Sequence, residues 1–415
     1  MVIQVKYAAG PEIKHLGNLR PKRMASMRAQ RAAGAGQLLK KWAVHNTARA
    51  LYPDTTLARC HVQIVQAQDF VKVRRQGAGA WYSGLHTCKN VWCCPICAPR
   101  IAEARRGELQ TAVDLAIGAG RGVYMTTFTI PHTRDEPLRA LQRALALAQR
   151  RMKGTRDYKR LMADIGHIGD VRTLEVTYGA GGWHPHVHAL NFLSSNLTAT
   201  LRHRSAEERT RSVTRWRRRL YVLWARACLK ADLGCPRYRG KDGKYVGVDI
   251  RGAHHAAGYV AKWGLAQELT GAHKKLGGAG SRTPWGLLAD AHCGDAAAAA
   301  RWVEFAKAMR GQRQLFWSPR LRKKLGLGEQ LTDQQAIDWE PPEAETVAEL
   351  TTDDWILVVA AGVRGELLEM AVQHPGRIEA ALSRMRAEVR RQGIDIAAKG
   401  WRRNIRWDSI RGYWM

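Results

Sequence analysis

Acidic residues are scarce in this chain. Its 415 residues carry 36 Asp and Glu against 67 Lys and Arg, a formal net charge of +31. So large a cationic excess repels itself unless a polyanion is bound, and nucleic acid is the first candidate, ahead of an anionic lipid surface. Long hydrophobic runs are missing too. The longest, Trp355 to Val363, falls far short of the roughly 20 apolar residues that cross a bilayer. Residues 1–50 hold ten Lys and Arg, one acid and no apolar core segment, so nothing there reads as a secretory leader. The expectation is a soluble, cytoplasmic protein with no membrane partner. A G-x-x-x-x-G-K-S/T phosphate loop is absent, which argues against a built-in ATP-driven helicase. No internal repeat is visible.

What is present divides into five regions. Residues 1–50 are a basic N-terminal arm. Residues 51–110 contain five of the eight cysteines and read as a zinc-binding segment, because a reducing compartment favours metal or burial over disulfides. Residues 111–327 alternate strand-like and helix-like patterns. Residues 328–355 read as an acidic linker: from 329 on there are nine acids, no Lys or Arg, and Pro341-Pro342. Residues 356–415 are basic again, within a helical pattern running from Thr352 to about Gly393.

In the central region, Gly122 to Ile130 is β-branched and aromatic, and Pro131 stops it, which predicts a strand. Residues 136–163 predict a helix, Val171 to Tyr178 a strand, Gly179 to Gly182 a turn and His184 to Phe192 the returning strand. A helix over 205–231, a short strand from Tyr245 to Arg251 and a helix from Ala253 to Thr270 follow. Strands joined by a hairpin and mixed with helices indicate α+β, with a central antiparallel sheet flanked by helices.

The sharpest pattern is Trp183-His-Pro-His-Val-His-Ala189. Side chains alternate across a strand, so His184, His186 and His188 share one face while Val187 faces the core side. If the turn is centred between Ala180 and Gly181, Glu175 lies directly opposite His186, on the same face. A slip of one residue would turn it away. Two imidazoles and a carboxylate with open positions suit a divalent ion such as Mg²⁺ or Mn²⁺ that can hold a phosphate oxygen, with His184 as a possible further ligand. Downstream, Tyr259 and Lys262 are three apart on a predicted helix and share a face. A phenol beside a metal-polarised phosphate, with an ammonium to stabilise the phenolate, is an activated nucleophile.

Taken in order, the Thr126-Thr-Phe-Thr129 strand, the His-hydrophobic-His strand and the Tyr-x-x-Lys helix resemble the three motifs of HUH endonucleases. Leu174 to Leu190, Tyr259-Val-Ala-Lys-Trp-Gly264, Gly280-Ser-Arg-Thr-Pro-Trp285 and Gly311 to Ser318 resemble plasmid rolling-circle replication initiators with a single tyrosine. The similarity covers roughly residues 60–327. It implies that 111–327 is a nicking domain in which His186, His188 and Glu175 hold the catalytic ion and His184 stands behind them. Tyr259 would attack a phosphodiester at an origin, leaving a 5′-phosphotyrosine and a free 3′-OH, with Lys262 in support. A host helicase and polymerase are implied as partners. His255 stands where some relatives carry a glutamate that activates water, and Trp263 where others carry a second tyrosine. A single-strand DNA transposase of the same chemistry and a non-catalytic zinc-containing DNA-binding regulator are the alternative readings.

Cys88-x5-Cys94-Pro-Ile-Cys97 has the spacing of a structural Zn²⁺ site, with Cys60 a candidate fourth ligand and Cys93 and His86 as competitors. A similar Cys-Pro-x-Cys segment precedes a basic helix in those initiators, here with Arg100, Arg105 and Arg106. Cys228, Cys235 and Cys293 are scattered and expected to be buried. Arg202, Arg204, Arg209, Arg211, Arg215, Trp216, Arg217, Arg218 and Arg219 form the candidate DNA-binding run, since guanidinium forks grip phosphates and aromatics stack on bases.

Overall fold

The computed structural model describes residues 39–65, 69–195, 206–237, 246–252, 280–398, 411 and 414, with the backbone alone at 206–213. Arg202, Arg204 and the predicted helix carrying Tyr259 and Lys262 lie outside the described residues, as do His254, His255 and residues 1–38.

In chain order the first elements are β1 (Val71–Gln76), β2 (Gly79–Ser83), α1 (Cys97–Gly118), β3 (Gly122–Thr129), α2 (Leu138–Gly154) and α3 (Arg156–Asp164). Next come β4 (His167–Gly179), β5 (Gly182–Leu193), α4 (Ala206–Leu229), β6 (Val248–Gly252), α5 (Pro284–His292), α6 (Ala296–Met309) and β7 (Phe316–Trp317). The chain closes with β8 (Glu345–Leu350), α7 (Thr352–Ala361), α8 (Arg364–Gln373) and α9 (Ile378–Arg391). The class is α+β, with antiparallel pairing and flanking helices.

Two compact units divide the chain. One takes in Lys72–Ser83 and Glu343 onward; the other takes in Lys40–Val71 and Gly84–Pro342. Residues 51–110 are therefore shared between them. In the first unit, β2, β1 and β8 form a three-stranded sheet. Tyr82 donates its hydroxyl to the Arg364 carbonyl at 2.7 Å and meets Trp355 edge-on. The buried Asp354 takes two hydrogen bonds from Arg386, at 2.7 and 2.8 Å. The acidic stretch contributes the strand β8 here, and in the other unit a short helix at Asp333–Asp338 with a complete capping box.

The larger unit is built on a five-stranded sheet in the order β6-β3-β5-β4-β7. One face carries Val123, Met125, Val171, Leu190 and Phe192, which pack on Leu109, Ala112, Val113 and Ala116 of α1. The other face meets α4: Tyr124 lies edge-on to Trp216, and Phe128 against Trp224. The helix predicted over 136–163 is two helices. Thr155 between them is extended and its side chain accepts from Tyr158 N, so it starts α3 rather than continuing α2.

The β4–β5 hairpin has the predicted register: Glu175 pairs with His186, Leu174 with Val187 and Tyr178 with Trp183. Its turn requires glycine. Gly182 sits at φ +84, and a Cβ there would collide with the Arg134 carbonyl oxygen. This close approach presses the loop after β3 against the hairpin turn.

Candidate metal centres

Glu175, His186 and His188 converge, with one donor atom from each within 4.8 Å of the others. The Nε2 of His188 lies 2.9 Å from Glu175 Oε2, and the Nε2 of His186 lies 3.3 Å from the same oxygen. Strand alternation supplies the shared face, and the hairpin register supplies the carboxylate. By the same alternation the histidines continue the face that packs on α1, beyond Leu190.

Each ring is held from behind. The Thr127 hydroxyl, on the neighbouring strand, bonds His188 Nδ1 at 2.9 Å. The Nδ1 of His186 reaches the His184 carbonyl at 3.3 Å. The contact holds the His186 ring with its Nε2 toward Glu175. The Nε2 atoms of both rings and one carboxylate oxygen therefore face a common point. The donor set thus fits a divalent ion.

Protonation agrees. Burial pulls the His188 imidazole below its usual range, against the opposing pull of Glu175. Partial burial acts to raise the Glu175 carboxyl, but hydrogen bonds from His186 and His188 hold it well below the ordinary carboxylate range. At neutral pH these are the neutral and ionised forms that bind a cation.

His184 is not part of the converging group. Its Nδ1 is 2.9 Å from Nε2 of His132, a residue that stands in no motif of the sequence. Burial, with the charges of His186 and His132, pushes His184 down to about 4. His132 follows Pro131 in the loop brought in by Gly182, and only that packing reveals it.

The second cluster is Cys60, Cys88, Cys94 and Cys97. Sulfur separations are 3.5 Å for Cys60–Cys97, 3.7 Å for Cys60–Cys94 and 3.8 Å for Cys88–Cys97. A tetrahedral ion with bonds of about 2.3 Å sets its ligands about 3.8 Å apart, so this box has the size for Zn²⁺. Backbone N–H groups of Cys88, Asn90 and Cys97 point at the Cys60, Cys88 and Cys94 sulfurs at 3.3–3.5 Å. Hydrogen bonds from Cys60, Cys88 and Cys94 hold Cys97 well below the usual thiol range, while burial and the neighbouring thiols hold Cys94 well above it. Several thiolates cannot share so small a volume without a cation. Cys60 is therefore the fourth member. Cys93 is a core thiol pushed up to about 12 by burial, and His86 stands outside the group.

The arginine run needs correction at two positions. Trp216 is 4% exposed and packs on Tyr124, so it is a core residue and presents no ring for stacking. Arg217 donates to the Ile250 carbonyl at 2.8 Å and is committed within the fold. Arg219 pairs with Asp164 at 3.0 Å, while Arg215 and Arg218 are exposed. On α1, Arg100 donates to the Trp339 carbonyl, and Arg105 pairs with Asp333 at 2.6 Å, so acids and carbonyls of the acidic stretch occupy these cations. Cys228 is buried as expected; Cys235 and Cys293 are exposed, Cys293 because it caps the C-terminus of α5.

Among the described residues no helix is long and apolar enough to cross a membrane. The family described as Replication protein matches residues 82–204. Protein rep of Streptomyces lividans is 31% identical over 336 residues, which cover 66% of this chain and 72% of that protein. The Neomycin resistance protein of Streptomyces cyanogenus is 33% identical over 144 residues, 28% of this chain and 32% of that protein. No solved structure matches the chain. The extent of the first of these likenesses means that the chain belongs to the family of Rep replication proteins.

Proposed function

We propose that this protein is a rolling-circle replication initiator of HUH type, which binds an origin and nicks one DNA strand by tyrosine attack. The observation that carries the reading is the convergence of Glu175, His186 and His188. A Mg²⁺ or Mn²⁺ ion held by those three would make the scissile phosphate more electrophilic and stabilise the charge that develops on it. Thr127 and the His184 carbonyl keep the two rings aimed. The Tyr259 oxygen forms a bond to phosphorus as the bond to the 3′ oxygen breaks, giving a 5′-phosphotyrosine and a 3′-OH. Lys262 stabilises the phenolate as its proton departs. Zn²⁺ at the four cysteines is structural. The free 3′-OH primes a host polymerase. A host helicase opens the duplex, and the work takes place in the cytoplasm.

A non-catalytic regulator would account for the charge and the cysteines but leaves the three-donor group idle. Incubation with single-stranded origin DNA and Mn²⁺ separates the two. A covalent protein–DNA adduct that disappears in Tyr259→Phe is the expected result; a strand that is bound but never cut by the wild-type protein overturns the proposal.

A further inference from the structure

A cleft of about 670 Å³ lies beside the cysteine cluster, away from the histidines. Its walls are the segment around Tyr52 to Arg59, the loop Cys88–Cys93, and the end of α6 with the turn after it. Three cations line it: Arg59, Lys89 and Arg310, all exposed. None of the three pairs with an acid among the described residues. Two acids also line it. Asp333 is taken by Arg105 at 2.6 Å, which leaves Asp54. The balance of the wall is positive.

The loop between Cys88 and Cys93 is shaped rather than slack. Lys89 holds φ +53, a left-handed conformation uncommon for a side chain of its length. Asn90 Oδ1 accepts from Trp92 N at 3.0 Å and Cys93 N at 2.9 Å, and Asn90 N points at the Cys88 sulfur. The Trp92 indole N–H donates to the Gln312 carbonyl at 2.9 Å, which fixes the plane of the ring. Tyr52, half-buried like Trp92, supplies a second aromatic edge to the cleft. Aromatic rings set among cations that have no acid partner among the described residues are the chemistry by which proteins hold a nucleic-acid strand without reading its sequence: cations take phosphates and rings take bases.

We propose that this cleft is a second DNA-contact site, in which Arg59, Lys89 and Arg310 hold phosphates of a single strand while Trp92 and Tyr52 stack on a base. The cysteine cluster then has two tasks, because the ligand Cys88 also anchors the loop that presents Lys89 and Trp92. The inference rests on the reading of the protein as a DNA-binding initiator, but it concerns affinity and not the nick.

The test uses the full chain and a fluorescent mixed-sequence oligonucleotide, offered as a single strand and as duplex over a salt series. In Arg59→Ala/Lys89→Ala/Arg310→Ala, single-strand affinity is expected to fall about tenfold or more at low salt, and the salt slope to become shallower by about two, at about 0.7 per lost phosphate contact. The charge-keeping variant Arg59→Lys/Lys89→Arg/Arg310→Lys should retain affinity and slope. An unchanged slope in the alanine variant overturns the proposal, as does a loss confined to duplex. Covalent adduct formation at saturating origin DNA is read alongside. Absence of adduct in the wild-type protein defeats the nicking mechanism and leaves this binding result standing; normal adduct with an unaltered slope defeats the cleft alone.

Discussion

The two metal-compatible clusters differ in closure. The four cysteines supply four sulfur donors, the number a tetrahedral ion takes, and three of them are buried. The histidine cluster supplies three donors, and the Glu175 side chain is 38% exposed. A site with every position filled by protein can only hold its ion, whereas one with open positions can bring an ion to a substrate. The placement follows the same logic. The cysteines gather loop segments and the first residue of α1. The histidines stand on the central strand of a sheet already packed on both faces, so the fold does not need an ion there.

Breaking this contrast should begin with Cys97→Ser. A structural zinc contributes on the order of 10 kcal/mol to folding. The variant should lose its metal and turn the Cys60–Gly118 region protease-sensitive, as read by limited proteolysis and metal content. Retained protection would make the box a set of core thiols. The second largest effect is expected in His188→Ala. Nicking should fall about a thousandfold or more, the loss of several kcal/mol of charge stabilisation, with the melting temperature nearly unchanged. A large fall in melting temperature would show that the histidine site is structural after all.

Finer changes sharpen the comparison. Thr127→Val removes the hydrogen bond behind His188 without opening the core. Mn²⁺ affinity should drop about tenfold to hundredfold by titration, with zinc content constant. Equal affinity would mean that the hydroxyl does not orient the ring. Gly182→Ala places a Cβ against the Arg134 backbone at positive φ. It should cost about 1–3 kcal/mol in unfolding free energy and weaken Mn²⁺ binding by displacing the His132 loop, leaving the cysteine site untouched. A neutral outcome in denaturant melts would refute the close approach as a constraint.

Much of the candidate site was legible because a hairpin is a local object. Alternating histidines, a Gly-rich turn and a glutamate at the mirror position fix which residues meet, once the turn centre is known. Cys94 and Cys97 were legible for the same reason, being three residues apart at a helix start. Cys60 was only a candidate, since nothing in the chain measures a distance across 34 residues. His132 and Thr127 gave no signal, since one imidazole in a loop and one threonine in a β-rich run have many ordinary uses. Trp216 misled because an aromatic among arginines looks the same whether it faces solvent or a sheet; the period of α4 turns it onto Tyr124. The hairpin at 71–83 is not legible in the sequence, because its partner strand β8 lies in a stretch whose acids suggest solvent.

The sequence by itself determined the charge that calls for a polyanion, the strand pattern of the central sheet, and the pairing of Glu175 with His186. All of these depend on composition or on neighbours along the chain. Only the tertiary structure decided which fourth cysteine closes the box, which hydroxyl and carbonyl aim the imidazoles, and which arginines are free for a ligand. Those choices depend on packing between segments far apart in sequence, where distance is set by the whole fold and not by local preference.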